Sequence, residues 1–135
     1  MSLPEAFLAI NPWAVLVAGI VHMVTGLIWY LPNVFGKQWS KLTGKDLSPA
    51  RQWLPVGVLG HIAMVLVLSV LLRLSSVTSV PGGLIVAGLV WIGFIVPLEV
   101  GELIWEKIAF RLFLIRIAEH LVALGLACII LSIWR

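Results

Sequence analysis

Charged residues are scarce in this chain of 135 residues, where Asp, Glu, Lys and Arg together make up 11%. A soluble domain carries about 25%, so this sequence cannot form an ordinary water-exposed surface. With 61% hydrophobic residues and a mean hydropathy of +1.13, the composition predicts an integral membrane protein. The net charge of +3 is modest and falls mostly in two connections, so we expect no nucleic-acid partner.

Cysteine is nearly absent as well. The single Cys128 lies in an apolar run, which excludes an intramolecular disulfide. The residues before the first apolar segment include Glu5 but no Lys or Arg, whereas a cleavable signal peptide begins with a basic region. We therefore expect the first apolar segment to remain as a span. The sequence also lacks a nucleophile motif, a phosphate loop and a nucleotide signature, which disfavours an enzyme but leaves the question open.

Four apolar segments carry most of the chain. Each is close to the ~20 residues that a helix needs to cross a bilayer, and helices satisfy their own backbone hydrogen bonds in lipid. The sequence predicts one all-α membrane domain over residues 1–135, a four-helix transmembrane bundle. Its expected spans are residues 12–31, 53–74, 82–105 and 112–134. Ser48 and Pro49 favour an N-cap and first helical position ahead of the second span.

The connection between the first two spans has a helical pattern of its own. Apolar Val34, Phe35, Trp39 and Leu42 alternate with polar and basic residues. This pattern predicts a short amphipathic helix over residues 33–42 that lies on the membrane surface. A lid over a cytoplasmic cavity is the functional alternative for the same segment.

Basic residues predict the orientation of the bundle. Lys and Arg concentrate in cytoplasmic loops, so we expect the first and third connections inside and both termini outside. The basic residues in and beside these two connections are Lys37, Lys41, Lys45, Arg51, Lys107, Arg111 and Arg116.

Titratable side chains interrupt the predicted spans. Such groups are costly in hydrocarbon, so each should face a partner, water or a ligand. At 1.5 Å of rise per residue, one group on each helix lies about 9–14 Å from its cytoplasmic end. We therefore expect a common polar layer near the cytoplasmic face. Its members are His22, His61, Glu99, Glu102, Glu119 and His120.

Glycines and one proline suggest how the helices meet. Gly19 and Gly26 on the first helix, and Gly57 and Gly60 on the second, form stripes beside the two histidines. Small residues allow close helix approach in membranes, so we expect both histidines to face other helices. On the third helix, Pro97 removes a backbone hydrogen bond and predicts a kink.

Two interpretations of the polar layer do not involve a metal. In the first, the layer lines a cavity that opens to the cytoplasm and binds a small ligand or passes protons. In the second, it only locks helix packing in a structural or accessory subunit. The ion pairs of that second interpretation would join Arg111 and Arg116 to Glu102, Glu106 and Glu119.

A third interpretation makes the layer a transition-metal site, in a metalloprotein or metalloenzyme. Imidazole and carboxylate suit zinc, iron or copper, and the ligands would be His22, His61 and His120 with one or two glutamates. The adjacent positions of Glu119 and His120 argue against this, because neighbours on a helix point about 100° apart. The sequence does not specify a cofactor.

A distinctive motif lies at the end of the first span, in GLIWYLPNVFGKQWSKLTG (Gly26–Gly44). It combines Gly-x-x-Trp-Tyr with Phe-Gly-x-x-Trp, at Gly26, Trp29, Tyr30, Phe35, Gly36 and Trp39. The chain resembles the domain of unknown function family 1761 in this motif and in the pattern of its last span. The resemblance implies a small four-span bacterial membrane protein, and we expect it in the cytoplasmic membrane. It implies no catalytic residues.

Partners follow from the same features. We expect membrane lipids, with Lys37 and Lys41 meeting anionic head groups at about 1 kcal/mol each. A homo-oligomer, formed through the glycine stripes or the face of Trp91, or a larger membrane complex is also expected.

Overall fold

The protein is an all-α four-helix bundle in the computed structural model, which describes residues 1–134. Four helices are long and apolar enough to cross a membrane, at Pro12–Trp29, Arg51–Leu74, Val80–Glu106 and Phe110–Ile133. We call them the first to fourth spans. The predicted fold class is confirmed, and each span begins and ends within a few residues of its predicted bounds. Residue 135, the last of the predicted domain, lies outside the described residues.

The fourth span is the centre of the bundle. It packs along the first span and along the third, while the second span packs mainly on the first. The core between them is formed by small and branched apolar side chains, such as Ala18, Leu68, Ala87 and Leu124, each at most 2% exposed. Helices in lipid associate through close packing, so small side chains at the contacts bring the backbones together.

Local sequence explains where the first and third spans begin. The side chain of Asn11 accepts hydrogen bonds from the first turn, in which Pro12 needs no N–H partner. Ser79 caps the third span in the same way, with Pro81 in the first turn. Both arrangements satisfy backbone groups that would otherwise be open at a helix end.

The second span begins differently from the prediction. It starts with a 3₁₀ turn at Arg51–Trp53 that runs into the α-helix Leu54–Leu74. The prediction that Ser48 and Pro49 start this helix is wrong. Asp46 accepts a hydrogen bond from the N–H of Ser48, which forms a turn before the helix instead.

A short N-terminal helix, Leu3–Leu8, was not predicted. Ser2 and Glu5 cap it reciprocally, and the hydrogen bond from the Ser2 backbone N–H lowers the pKa of Glu5. The helix contacts the α-helix of the second span, and its Ala6 is completely buried. Its capping box is the sequence signal that could have revealed it.

The chain folds back after the first span. A π-helical turn at Pro32–Gly36 leads into the helix Lys37–Thr43, which ends at Gly44 with a φ of 70°. The short helix predicted over residues 33–42 is therefore present. Its location on the membrane surface stays a prediction.

Aromatic contacts hold this fold-back segment, residues 29–39, against the bundle. The indole N–H of Trp29 donates to the carbonyl of Ile115 at 3.1 Å, and its ring stacks on Phe35 at 4.7 Å between centroids. The rings of Tyr30 and Trp39 meet edge to face at 6.1 Å. The aromatic residues of the motif therefore join the end of the first span to the segment that follows it and to the fourth span.

Gly36 permits the fold-back itself. A Cβ at this position would overlap the carbonyl oxygen of Tyr30 and lie 2.8 Å from that of Leu31. The φ of Gly36 is −59°, which any residue adopts, so the requirement is for space and not for backbone freedom.

The third span contains a π-helical turn at Trp91–Ile95. Here the N–H of Val96 donates to the carbonyl of Trp91, five residues earlier. Pro97 follows at once, and its missing N–H and bulky ring disrupt the regular helical bonding of the preceding turn. The sequence predicts a kink from Pro97, and the structure has a π turn directly before it, which inserts one residue into the helix.

Trp91 ties the third span to the fourth. Its indole N–H donates to the carbonyl of Ile117 at 2.7 Å. We expect Trp91→Phe to lower the free energy of unfolding by about 1 kcal/mol, because the aromatic volume stays and the hydrogen bond is lost. The matched control is Trp105→Phe, since Trp105 is 82% exposed. Thermal unfolding in detergent tests the pair, and equal effects of the two substitutions would contradict this role of the bond.

Candidate functional site

An ion-pair cluster joins the third and fourth spans. Nη1 of Arg116 lies 3.5 Å from Oε2 of Glu99 and 3.5 Å from Oε2 of Glu102. Nε2 of His120, one turn further along the fourth span, lies 3.9 Å from Oε1 of Glu99. These four side chains lie together, and Glu99 is the most enclosed of them.

The π turn determines which way the two glutamates of this cluster point. Ala87 faces the fourth span and is 1% exposed. In an uninterrupted helix at about 100° per residue, Glu99 would be rotated about 120° away from Ala87. The extra residue of the π turn reduces that rotation to about 20°. Glu99, and Glu102 three residues later, therefore face Arg116.

Glu119 points to the other side of the fourth span, toward the first. Its side chain is 7% exposed, and its Oε1 lies 3.2 Å from where a Cβ on Gly26 would be. Its Oε2 lies 3.0 Å from Nδ1 of His120. The expectation that neighbouring Glu119 and His120 point apart is wrong, because the two side chains turn toward each other. His120 thereby connects Glu119 to the cluster around Glu99.

His22 and His61 form the other half of the layer. Their rings lie 5.1 Å apart between centroids, edge to face. His22 is 2% exposed, and neither of its ring nitrogens has a hydrogen-bond partner within residues 1–134. His61 is half-buried, and its Nδ1 lies 2.7 Å from the carbonyl of Gly57, four residues earlier. Because a carbonyl oxygen only accepts, Nδ1 is the donor in this hydrogen bond.

The glycine stripes differ between the two spans. Gly19 meets Ile62 of the second span, and Gly26 meets Glu119, as expected for close helix contacts. A Cβ at Gly57 or Gly60 would meet nothing within 4 Å. The expectation that this second stripe faces another helix of the chain is therefore not met. Residues 51–60 are exposed throughout, so the start of the second span stands apart from the bundle and His61 lies at its edge.

Two residues expected in supporting ion pairs are placed elsewhere. Within residues 1–134, neither Arg111 nor Glu106 lies within ion-pair distance of an opposite charge. Nε of Arg111 instead donates to Oε1 of Gln38, in the fold-back segment, at 3.2 Å. Both Arg111 and Glu106 are exposed. Arg116 alone provides the predicted neutralisation, with Glu99 as its additional partner.

The three histidines do not form a metal centre together. His22 and His61 are neighbours, whereas His120 contacts Glu119 and Glu99. Among the described residues, no group of three or more His, Cys, Asp or Glu side chains is arranged to hold a metal ion. The donor geometry therefore gives the metal interpretation no support.

Two open depressions on the described surface are lined by residues outside the layer. One of about 320 Å³ lies between Tyr30 and Trp39 and the loop at Asp46. Another, of about 330 Å³, lies between the fold-back segment and the fourth span and includes Arg111. None of the His and Glu side chains of the layer lines either of these depressions.

Comparison with known families identifies the chain. The family model described as "Protein of unknown function (DUF1761)" matches residues 13–132. The chain belongs to this family. The match covers all four spans and the fold-back segment, which confirms the resemblance of the motif.

Comparison with curated proteins gives no match. Comparison with solved structures also gives none. Membership of DUF1761 therefore supports the identity of the domain without assigning a reaction, and the function must be argued from the polar layer.

Proposed function

We propose that this member of DUF1761 binds or moves a small ligand or protons through the intramembrane His/Glu layer. The observation that carries the proposal is His22. A buried imidazole without a protein partner for either nitrogen is costly in a membrane. Groups of this kind are retained where they bind or exchange something that the protein itself does not provide.

The order of the groups suits proton movement. The half-buried His61 lies at one end, next to the buried His22. Glu119 reaches the same face of the first span at Gly26, one turn from His22, and contacts His120. His120 leads to Glu99 and so to the more exposed end of the cluster. In this proposal water carries the proton between His22 and Glu119.

The direction of movement rests on the predicted orientation. With the first and third connections in the cytoplasm, the polar layer lies nearer to the cytoplasmic end of each span. We propose a cytoplasmic membrane location with both termini outside, supported by the basic residues of those connections. Such a layer would exchange with the cytoplasm first.

Proton movement is tested in sealed vesicles of phosphatidylethanolamine and phosphatidylglycerol with a pH-sensitive dye inside. A potassium gradient with valinomycin imposes an inside-negative potential. We expect the wild-type protein to acidify the interior faster than empty vesicles do. Glu119→Gln should return the rate to that of empty vesicles, because the amide replaces the carboxylate and does not exchange a proton.

The matched control is Glu106→Gln, which changes an exposed glutamate outside the layer. It should leave the rate unchanged. For a ligand other than the proton, native mass spectrometry of gently purified protein should show a bound small molecule that Glu119→Gln loses. The proposal would be refuted if vesicles with the wild-type protein acidify no faster than empty vesicles and the purified protein carries no bound small molecule.

A structural or accessory role is the second candidate. The observation that favours it is Arg116, which bridges Glu99 and Glu102 and fixes the third span on the fourth. A role in helix packing explains such ion pairs. It does not explain why the ring nitrogens of His22 have no hydrogen-bond partner within residues 1–134. Under this alternative, Glu119→Gln would change only stability, and the wild-type protein would show neither proton movement nor a bound molecule.

A further inference from the structure

A groove lies between the fold-back segment and the fourth span. Its floor follows one face of the fourth span over two turns, and its opposite wall is the stacked pair Trp29 and Phe35. The floor residues are Arg111, Leu114, Ile115 and Ala118, which are spaced at three and four residues. One end of the groove is therefore polar, and the rest is apolar.

The polar end carries an oriented positive charge. Arg111 is the second residue of the fourth span, at the level where a span leaves the hydrocarbon. Gln38 accepts the hydrogen bond from its Nε, which fixes the guanidinium and leaves its terminal NH₂ groups for another acceptor. Arg111 has no ion pair within residues 1–134. Guanidinium groups in this situation bind phosphate with two parallel hydrogen bonds.

The apolar part of the groove begins directly below this charge. Leu114 and Ala118 continue about 10 Å along the helix from Arg111, in the direction of the membrane interior. Ala118 is small and gives the groove its depth, and the volume is about 330 Å³. The connection over residues 29–46 contains Lys37, Lys41 and Lys45 but a single acidic residue, Asp46, so its net positive charge favours an anion.

We propose that this groove binds one anionic phospholipid, with its phosphate on Arg111 and Gln38 and an acyl chain over Leu114 and Ala118. The order of polar and apolar groups along the groove is that of a lipid at the membrane interface. The bound phospholipid would stabilise the packing of the fold-back segment on the fourth span. This inference is independent of the proton or ligand chemistry of the His/Glu layer.

Native mass spectrometry of the full-length protein in a non-ionic detergent tests the site. The probes are phosphatidylglycerol and phosphatidylcholine with identical acyl chains. We expect one phosphatidylglycerol to bind about five- to tenfold more tightly than phosphatidylcholine, a preference of the size that one interfacial charge provides. Arg111→Gln should abolish this preference. Lys45→Gln removes one charge from the same connection outside the groove and should preserve it.

A second part of the experiment blocks the groove sterically. Ala118→Phe fills the apolar part of the groove and should weaken both lipids. Ala63→Phe adds the same bulk on an exposed position of the second span and should weaken neither. Equal binding of the two lipids by the wild-type protein would overturn the proposal. So would an equal loss of preference in Arg111→Gln and Lys45→Gln, or unchanged binding in Ala118→Phe.

Discussion

His22→Leu is expected to make the protein more stable, by about 1–2 kcal/mol, while it abolishes proton movement in vesicles. Neither ring nitrogen of His22 has a protein partner, and the side chain is 2% exposed. Leucine of similar size removes the desolvation cost of the imidazole and can pack against the same neighbours. A gain in stability that accompanies a loss of function is typical of sites where function is retained at the expense of stability.

His120→Leu is the matched comparison. Its ring contacts Glu119 and Glu99, so its removal leaves two carboxylates without that partner and should lower stability. Both variants are measured by thermal unfolding in the same detergent, and then for proton movement. A loss of stability in His22→Leu as large as that in His120→Leu would mean that His22 is a packing residue after all.

We expect Gly36→Ala to destabilise the protein more than the addition of a single methyl group anywhere else in the fold-back segment. The new Cβ would overlap the carbonyl oxygen of Tyr30, and backbone cannot move aside as a side chain can. We expect a loss of about 3 kcal/mol or more. The stacked contact of Trp29 with Phe35 should be disrupted at the same time, which a shift in tryptophan fluorescence would report.

Gly57→Ala provides the control, because a Cβ there meets nothing within 4 Å. Alanine has the higher helix propensity, so this variant should be unchanged or slightly more stable. Limited proteolysis near the fold-back segment should then cut Gly36→Ala faster than either wild type or Gly57→Ala. Equal resistance of the three proteins would contradict the role of Gly36.

The fold could be predicted from the sequence because its main signals are local. The length and hydropathy of each span follow from the thickness of a bilayer, and Asn11 with Pro12 fixes one helix start directly. The predicted start of the second span is wrong because the N–H of Ser48 donates to the side chain of Asp46, which forms a turn before the helix. A serine before a proline is compatible with both a helix N-cap and such a turn, so the sequence alone does not distinguish them.

The sequence predicts a depth for each titratable group but does not predict its contacts. Rise per residue brings the titratable groups to one layer, and no tertiary information is needed for that. Partner choice depends on side-chain rotation, which sequence spacing does not specify. Thus Glu119 and His120 meet although they are neighbours, and Arg111 pairs with Gln38, for which the sequence offers no signal. The hydrogen bond of Trp91 could have been anticipated, since a mid-span indole N–H needs an acceptor.

The π turn at Trp91–Ile95 also governs how insertions and deletions act on this protein during evolution. A one-residue deletion within it would restore regular helical bonding at this point and keep Glu99 and Glu102 facing the fourth span, because the remaining residues after Ala87 give the same rotation of about 20°. A relative that lacks this extra residue can therefore retain both carboxylates in the polar layer. In an alignment, a one-residue gap at this turn is compatible with an intact polar layer.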